Sequence, residues 1–151
     1  MIKQLMTVDE MEGLLSRALI GRLGTCRSNQ PYVVPMCFIY YNGKIYFHCA
    51  SKGRKIENMK ANPRVCFQVD EHQLIPSSTP CDFTMHYRSV LVFGRVKFLA
   101  SSEEKLEVLK EIIHKYDVTK LAKSLDETAT HQVEVGEIAI EKMTGKINEN
   151  E

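Results

Sequence analysis

Three cations fall within four residues in Ser51-Lys52-Gly53-Arg54-Lys55, at a point where a predicted strand gives way to a predicted helix. The free amides of a helix's first turn carry partial positive charge, and here they would point toward the same place as these side chains. Convergent N–H donors, a flexible glycine and an arginine fork are what a phosphate group requires. A solvated basic turn is the competing reading of the same five residues. Neither G-x-G-x-x-G nor G-x-x-x-x-G-K-[ST] occurs in the chain, so an anion site here would stand outside a Rossmann or P-loop frame.

Tyr46-Phe47-His48-Cys49-Ala50 runs straight into this turn. Alternation along a strand puts Tyr46, His48 and Ala50 on one face and Phe47 and Cys49 on the other. A planar ligand anchored by its phosphate at residues 51–55 would lie along this strand or its neighbour. The neighbouring run, Val33 to Phe38, contains Pro35, which has no amide donor. A gap in the ladder there would free backbone groups for a ligand's polar edge; an edge strand or bulge is the ordinary role of such a proline. His48 has the side chain suited to donating a proton near neutrality, against the alternative of a histidine bonded to backbone. Cys49 reads as a structural thiol more readily than a redox one. Arg88 opens a later long strand, either as a further cation for the site or as a surface partner of Asp82. His72, His86, His114 and His131 lack ligand spacing, so no metal site is expected.

The elements that must position these residues are legible in outline. Thr7-Val8-Asp9-Glu10 is a capping-box pattern, and Val8, Met11, Leu14, Leu15 and Ala18 recur at helical spacing, which predicts a helix over 7–18. Strands are predicted over 20–26, 32–41, 44–50, 64–70, 83–99 (bent near Gly94) and 132–143. Ser28 to Pro31 reads as a turn and Asn42-Gly43 as a hairpin. A short helix over 56–61 must end before Pro63. Ser101 to Glu104 opens a helix to about Lys115, and a further helical piece is expected around 118–125. Residues 71–80 read as a long polar loop, and the tail after Gly145 as frayed. The pattern predicts one α+β domain over 1–151, with an ordered core of about 7–143. Its six strands, mostly antiparallel, surround a small barrel, with short flanking helices.

Bulk properties exclude several classes. The 151 residues carry 20 Lys+Arg against 19 Asp+Glu, with 44% hydrophobic and 26% charged residues, which is ordinary for a globular domain. A net charge of +1 gives no global attraction to nucleic acid or to an anionic membrane. Five cysteines spaced by 11, 12, 17 and 15 residues form no Cys-x-x-Cys pair, a usage that fits a reducing cytoplasm. Acidic residues 9, 10 and 12 interrupt the N-terminus before a signal-like apolar run forms, and no stretch approaches the ~18 apolar residues of a membrane span. A cytoplasmic protein is expected.

Three blocks, in order, carry a family resemblance. Gly53-Arg-Lys-Ile-Glu-Asn-Met-Lys-Ala-Asn-Pro-Arg-Val-Cys-Phe67 closely resembles the strand-turn-helix-strand unit of the pyridoxamine 5′-phosphate oxidase-like, FMN-binding split-barrel superfamily. Pro31-Tyr-Val-Val-Pro-Met36 resembles its strand lining the isoalloxazine, and Arg88-Ser-Val-Leu-Val-Phe-Gly94 its Arg-x-Val-x-x-x-Gly strand. The resemblance covers residues 7–143. Gly21-Arg-Leu-Gly24, Tyr46-Phe-His48 and Gly53-Arg-Lys55 make the chain most similar to the nitroimidazole-resistance branch. It implies a split barrel with FMN as cofactor. Arg54 and Lys55 would bind the phosphate beside Lys52 and Gly53, with Ser51 and Ser89 as supporting donors and Arg88 as a further cation. Val34, Pro35 and Met36 would flank the flavin ring, and His48, Cys49 and Ala50 would form its other border. It also implies a homodimer with FMN at the interface.

The family's pyridoxamine phosphate oxidases carry a Trp-rich C-terminal block, whereas this chain has no Trp, so vitamin B6 oxidation is not expected. The reading is an oxidoreductase that takes electrons from NADH or NADPH and reduces a small nitroaromatic or quinone-like acceptor, with His48 as the candidate catalytic residue. Two alternatives stand beside it. One is a flavin-binding storage or sensing module without turnover. The other is a haem-binding split barrel, with His48 or His131 as axial ligand.

Overall fold

The computed structural model describes residues 4–79, 83–116, 125–131 and 133–149. The elements are β1 (Gln4–Leu5), α1 (Val8–Arg17), β2 (Gly21–Arg27), β3 (Gln30–Met36), β4 (Ile39–Tyr41), β5 (Lys44–Cys49), α2 (Arg54–Ala61), β6 (Arg64–Ile75), β7 (Thr84–Phe98), α3 (Ser102–Tyr116), a 3-10 turn (Glu127–His131) and β8 (Glu134–Asn148). The strands form one antiparallel sheet in the order β3-β2-β6-β7-β8-β5-β4, with β1 added along β8. Among the described residues the sheet does not close on itself.

Local chemistry sets the element ends. Thr7 caps α1 through a reciprocal box: its hydroxyl accepts from the Glu10 amide, and the Glu10 carboxylate accepts from the Thr7 amide at 2.7 Å. Asn42 and Gly43 both have positive φ, 49° and 72°, as a tight hairpin turn requires. The same holds at Ser28 and Asn29, which join β2 to β3. The bend expected near Gly94 is a register shift between Phe93 and Gly94 in the pairing of β7 with β8.

The strand count is eight rather than six, for two reasons. The run 32–41 is cut at Cys37-Phe38, because Phe38 spends its backbone groups elsewhere. Its amide donates to Tyr116 Oη at 2.9 Å, and its carbonyl accepts from Tyr116 Oη and Lys115 Nζ. The two-residue β1 is added where Gln4 and Leu5 pair with Ile147 and Lys146. That pairing also corrects the frayed tail: β8 continues through Gly145 to Asn148, opposite Val90 to Tyr87 on β7, with Ile147 buried. The polar stretch from Glu71 is likewise strand as far as Ile75, since its backbone pairs with Thr84 to Arg88 whatever its side chains present to water. The helical piece expected around 118–125 lies outside the described residues but for Leu125, which is not helical.

Two apolar clusters hold the fold. The larger gathers Leu14, Leu15, Leu23, Phe38, Phe47 and Phe67, all essentially inaccessible, with Phe38 and Phe67 edge-on at 4.8 Å. The smaller packs α3, through Val108, Leu109 and Ile112, onto Ile39, Tyr46 and Val135. Both faces of β5 are therefore covered along Ile45 to Phe47, and the strand becomes exposed only at His48. Beside Tyr46, the buried Glu137 carboxylate receives Lys44 at 3.0 Å, Tyr46 Oη at 3.0 Å and Lys97 at 3.3 Å. Burial works to raise its pKa, but these donors outweigh it and hold Glu137 below the ordinary range.

The end of α3 ties three segments together. Lys115 Nζ donates to the carbonyls of Ala18 (2.7 Å) and Phe38 (3.0 Å) and lies 4.2 Å from the Phe38 ring centroid. Burial lowers its pKa to about 8. A lysine whose pKa falls on folding binds fewer protons folded than unfolded between about 8 and its ordinary value, so this group's contribution to stability grows as pH rises through that window. The stability difference between the wild type and Lys115→Met should therefore shift toward the wild type from pH 8 to pH 10. Denaturant titrations of both proteins across that range check it; a difference that stays flat or falls contradicts the assignment.

Candidate functional site

The basic corner forms where β5 stops. Ser51, Lys52, Gly53 and Arg54 are exposed and Lys55 is half-buried. Gly53 has φ 124°, a backbone state that side chains rarely adopt, and open space where its Cβ would be. It stands at the start of α2, where among the described residues no side chain caps the amide donors of the first turn. Among the described residues, Lys52, Arg54 and Lys55 have no carboxylate within ion-pair distance. Three uncompensated cations, free amides and a glycine with room above it suit a phosphate: the residues fit the group the sequence calls for.

α2 is fastened in place from below. The buried Asn58 donates to Thr25 Oγ1 at 3.0 Å, and Thr25 Oγ1 donates in turn to the Tyr32 carbonyl at 3.3 Å. Asn62, at the helix end, donates to the Cys26 carbonyl at 3.0 Å. The Arg54 guanidinium lies over the Tyr32 ring, 4.6 Å from its centroid. The corner thus abuts β3, the edge strand of the sheet, whose far side is unpaired among the described residues.

Along β3 from Tyr32, Val34 and Met36 turn toward the interior, with Met36 buried, while Pro35 is exposed. Pro31 and Pro35 occur where the edge-strand reading of proline places them. Tyr32 to Met36 spans ~13 Å at the rise of a strand. An elongated ligand with its phosphate at Arg54 would have this edge beside it. Next to Tyr32 a recess of about 470 Å³ opens over Gly24, Val33, Cys66, Phe93 and Gly94, with Val33 and Phe93 left exposed.

On the other side of the corner, His48 is exposed. The packing around its ring, and secondarily the Lys55 charge, lower its pKa, so the neutral imidazole is favoured at neutral pH. Cys49 faces the core. Burial pushes its thiol up to about 11, which opposes thiolate chemistry, so a ligand bordering it would meet only its backbone. Ala50 is exposed between His48 and the turn.

Arg88 and Ser89 are not brought to the corner within one chain. They pair with Glu71 and Asp70 on β6, whereas Tyr32 is one residue beyond the level of Gly24, Cys66 and Phe93. Arg88 is five residues along β7 from Phe93, ~17 Å at strand rise. There it donates to Glu149 at 2.8 Å and borders a separate polar recess with His72 and His86. Its acidic partner is Glu149; Asp82 lies outside the described residues.

Tyr32, Thr25 and Asn58 escaped the sequence reading as functional residues. Tyr32 was visible only as a member of the Pro31–Met36 block. The pairing of Asn58 with Thr25 spans 33 residues and has no local signature. Among the described residues no group of three His, Cys, Asp or Glu side chains is arranged to hold a metal ion, and no helix is long and apolar enough to cross a membrane.

Comparisons with known proteins place the chain in a family. A family model described as pyridoxamine 5′-phosphate oxidase matches residues 7–147. An uncharacterised protein of Rhizobium meliloti is 30% identical over 104 residues, 68% of this chain; the aligned part spans 62% of that relative's length. The crystal structure of a candidate 5-nitroimidazole antibiotic resistance protein from Bacteroides thetaiotaomicron superposes with a TM-score of 0.83 at 29% identity, over 97% of this chain and 87% of that one. An FAD-binding protein from Mesorhizobium loti gives a TM-score of 0.70 at 27% identity, over 99% of this chain and all of that one.

Proposed function

This chain belongs to the pyridoxamine 5′-phosphate oxidase family, and from that premise we propose that it is a flavin-binding oxidoreductase. It holds FMN by the phosphate at Ser51 to Lys55, takes electrons from NADH or NADPH, and reduces a small nitroaromatic or quinone-like acceptor. The observation that carries this reading is the uncapped, cationic start of α2, whose three basic side chains form no ion pair among the described residues. The likeness to an FAD-binding protein and to a candidate nitroimidazole resistance protein supports the cofactor class and the acceptor class.

Bound flavin would supply the electron transfer between nicotinamide and acceptor; the chain's own residues bind, orient and protonate. Arg54 and Lys55 receive the phosphate, helped by Ser51, Lys52 and the amide of the flexible Gly53. The edge of β3 at Val34 to Met36 and the end of β5 at His48 to Ala50 border the ring. The exposed apolar side chains of Val33 and Phe93 next to the recess favour a homodimer that covers the cofactor. In such a dimer Arg88 and Ser89, remote within one chain, serve as the second copy's donors.

His48 Nε2 or Nδ1 delivers a proton to the reduced acceptor. Since its pKa is lowered, the protonated form is lost below the ordinary imidazole value of about 6.5. Acceptor-dependent kcat/KM should therefore fall as pH rises through a value below that, and His48→Phe should remove this limb. The assay follows NADH or NADPH oxidation by FMN-loaded protein, with and without a nitroimidazole, against free FMN. An acceptor-dependent rate no greater than that of free FMN identifies a carrier module instead. A His48→Phe profile identical to wild type takes the proton-delivery role from His48. A haem absorption band without flavin release on denaturation would replace the whole reading.

A further inference from the structure

We infer that Tyr32 is a positioning residue that holds Arg54 ready for the flavin phosphate and joins the phosphate corner to the ring-lining strand as one body. The inference rests on the proposed flavin site and adds to it a residue with no charge and no direct role at the phosphate.

Two independent links converge on Tyr32. Its ring carries the Arg54 guanidinium at 4.6 Å from the centroid, and its carbonyl accepts from Thr25, which is itself tied to Asn58 of α2. Arg54 is the first residue of α2 and Asn58 is one turn on, so the helix meets Tyr32 by side chain above and through Thr25 below. An exposed arginine ordinarily samples many rotamers, and ordering it on ligand capture costs affinity. The stack is available to Arg54 before any ligand arrives, because the ring's negative face attracts the cation and leaves the N–H edges of the planar group free. The guanidinium can then offer its N–H donors to a phosphate at the start of α2 while it stays over Tyr32. Thr25 and Asn58 are buried at 4% and 5% exposure, so the lower link is rigid. Tyr32 is partly exposed, so its side chain can be changed without opening the core.

The test is the ratio of FMN to riboflavin affinity, because riboflavin has the same ring without the phosphate. In Tyr32→Leu the preference for FMN should fall roughly three- to tenfold while riboflavin affinity holds. Tyr32→Phe, which keeps the aromatic face, should restore it. A second readout needs no flavin: the Arg54 side-chain methylene resonances should be shifted upfield by the Tyr32 ring in wild type and Tyr32→Phe, and move to random-coil positions in Tyr32→Leu. If wild type prefers FMN and Tyr32→Leu keeps the full preference, the positioning role is wrong while the flavin site stands. If wild type binds riboflavin as tightly as FMN, the phosphate site fails and this inference falls with it. Equal loss of FMN and riboflavin affinity in Tyr32→Leu would mark a contact to the ring and also overturn the positioning role.

Discussion

Replacing Arg54 and Lys55 together by alanine is expected to weaken FMN binding by more than about tenfold and to leave riboflavin binding unchanged. Each side chain offers charge-assisted hydrogen bonds to phosphate oxygens, contributing ~1.5–3 kcal/mol apiece, and among the described residues neither is held in an ion pair with a carboxylate. Both residues sit at the outer end of α2, away from its buried face of Ile56, Asn58 and Met59, so the double variant should fold. Fluorescence titration with the two flavins, together with a melting curve, measures it. Unchanged FMN affinity would return the basic turn to a solvated surface feature. Parallel loss for both flavins would shift the role of these residues from the phosphate to the ring.

The second large effect concerns the core that supports the corner. Phe67 is fully buried, and Phe67→Ala should cost about 3–5 kcal/mol of unfolding free energy. Gly21, on β2, has no room for a side chain: a Cβ there would lie 2.0 Å from the tip of the Phe67 ring. Gly21→Ala should therefore cost about 1–3 kcal/mol by overpacking. The two lesions have opposite shapes at one spot, so the double variant should be more stable than the sum of the single effects predicts, by about 0.5–3 kcal/mol. Denaturant unfolding of the four proteins closes the cycle, and strict additivity would show that the ring and the missing Cβ do not compete for space.

Much of this was legible in the chain because it is local. The capping box at Thr7 and the Asn42-Gly43 hairpin each depend on a few adjacent residues, and each stands where its chemistry places it. The basic corner was legible for the same reason: Ser51 to Lys55 is contiguous, and its setting between β5 and α2 follows from strand and helix signals on either side. What depends on distant partners was not. The break at Phe38 is made by Tyr116, 78 residues away. The last residues of β8 look polar and fray-prone in isolation, but β1 and β7 pair with them on both sides. The place of Arg88 in the sheet also depends on distant partners. Its motif groups it with the phosphate ligands, while the register of β6 and β7 carries it far along the sheet to Glu149. Tyr32 carries no local signal, because a contact between residues 32 and 54 leaves no mark on spacing.

A crystal structure of the protein with FMN bound would show whether the basic corner holds the phosphate. Phosphate oxygens are expected within hydrogen-bond distance of Arg54, Lys55 and the amides at the start of α2, with the ring system beside Val34 to Met36 of β3. A flavin seated elsewhere, with its phosphate away from Ser51 to Lys55 and that corner open to solvent, would contradict this expectation.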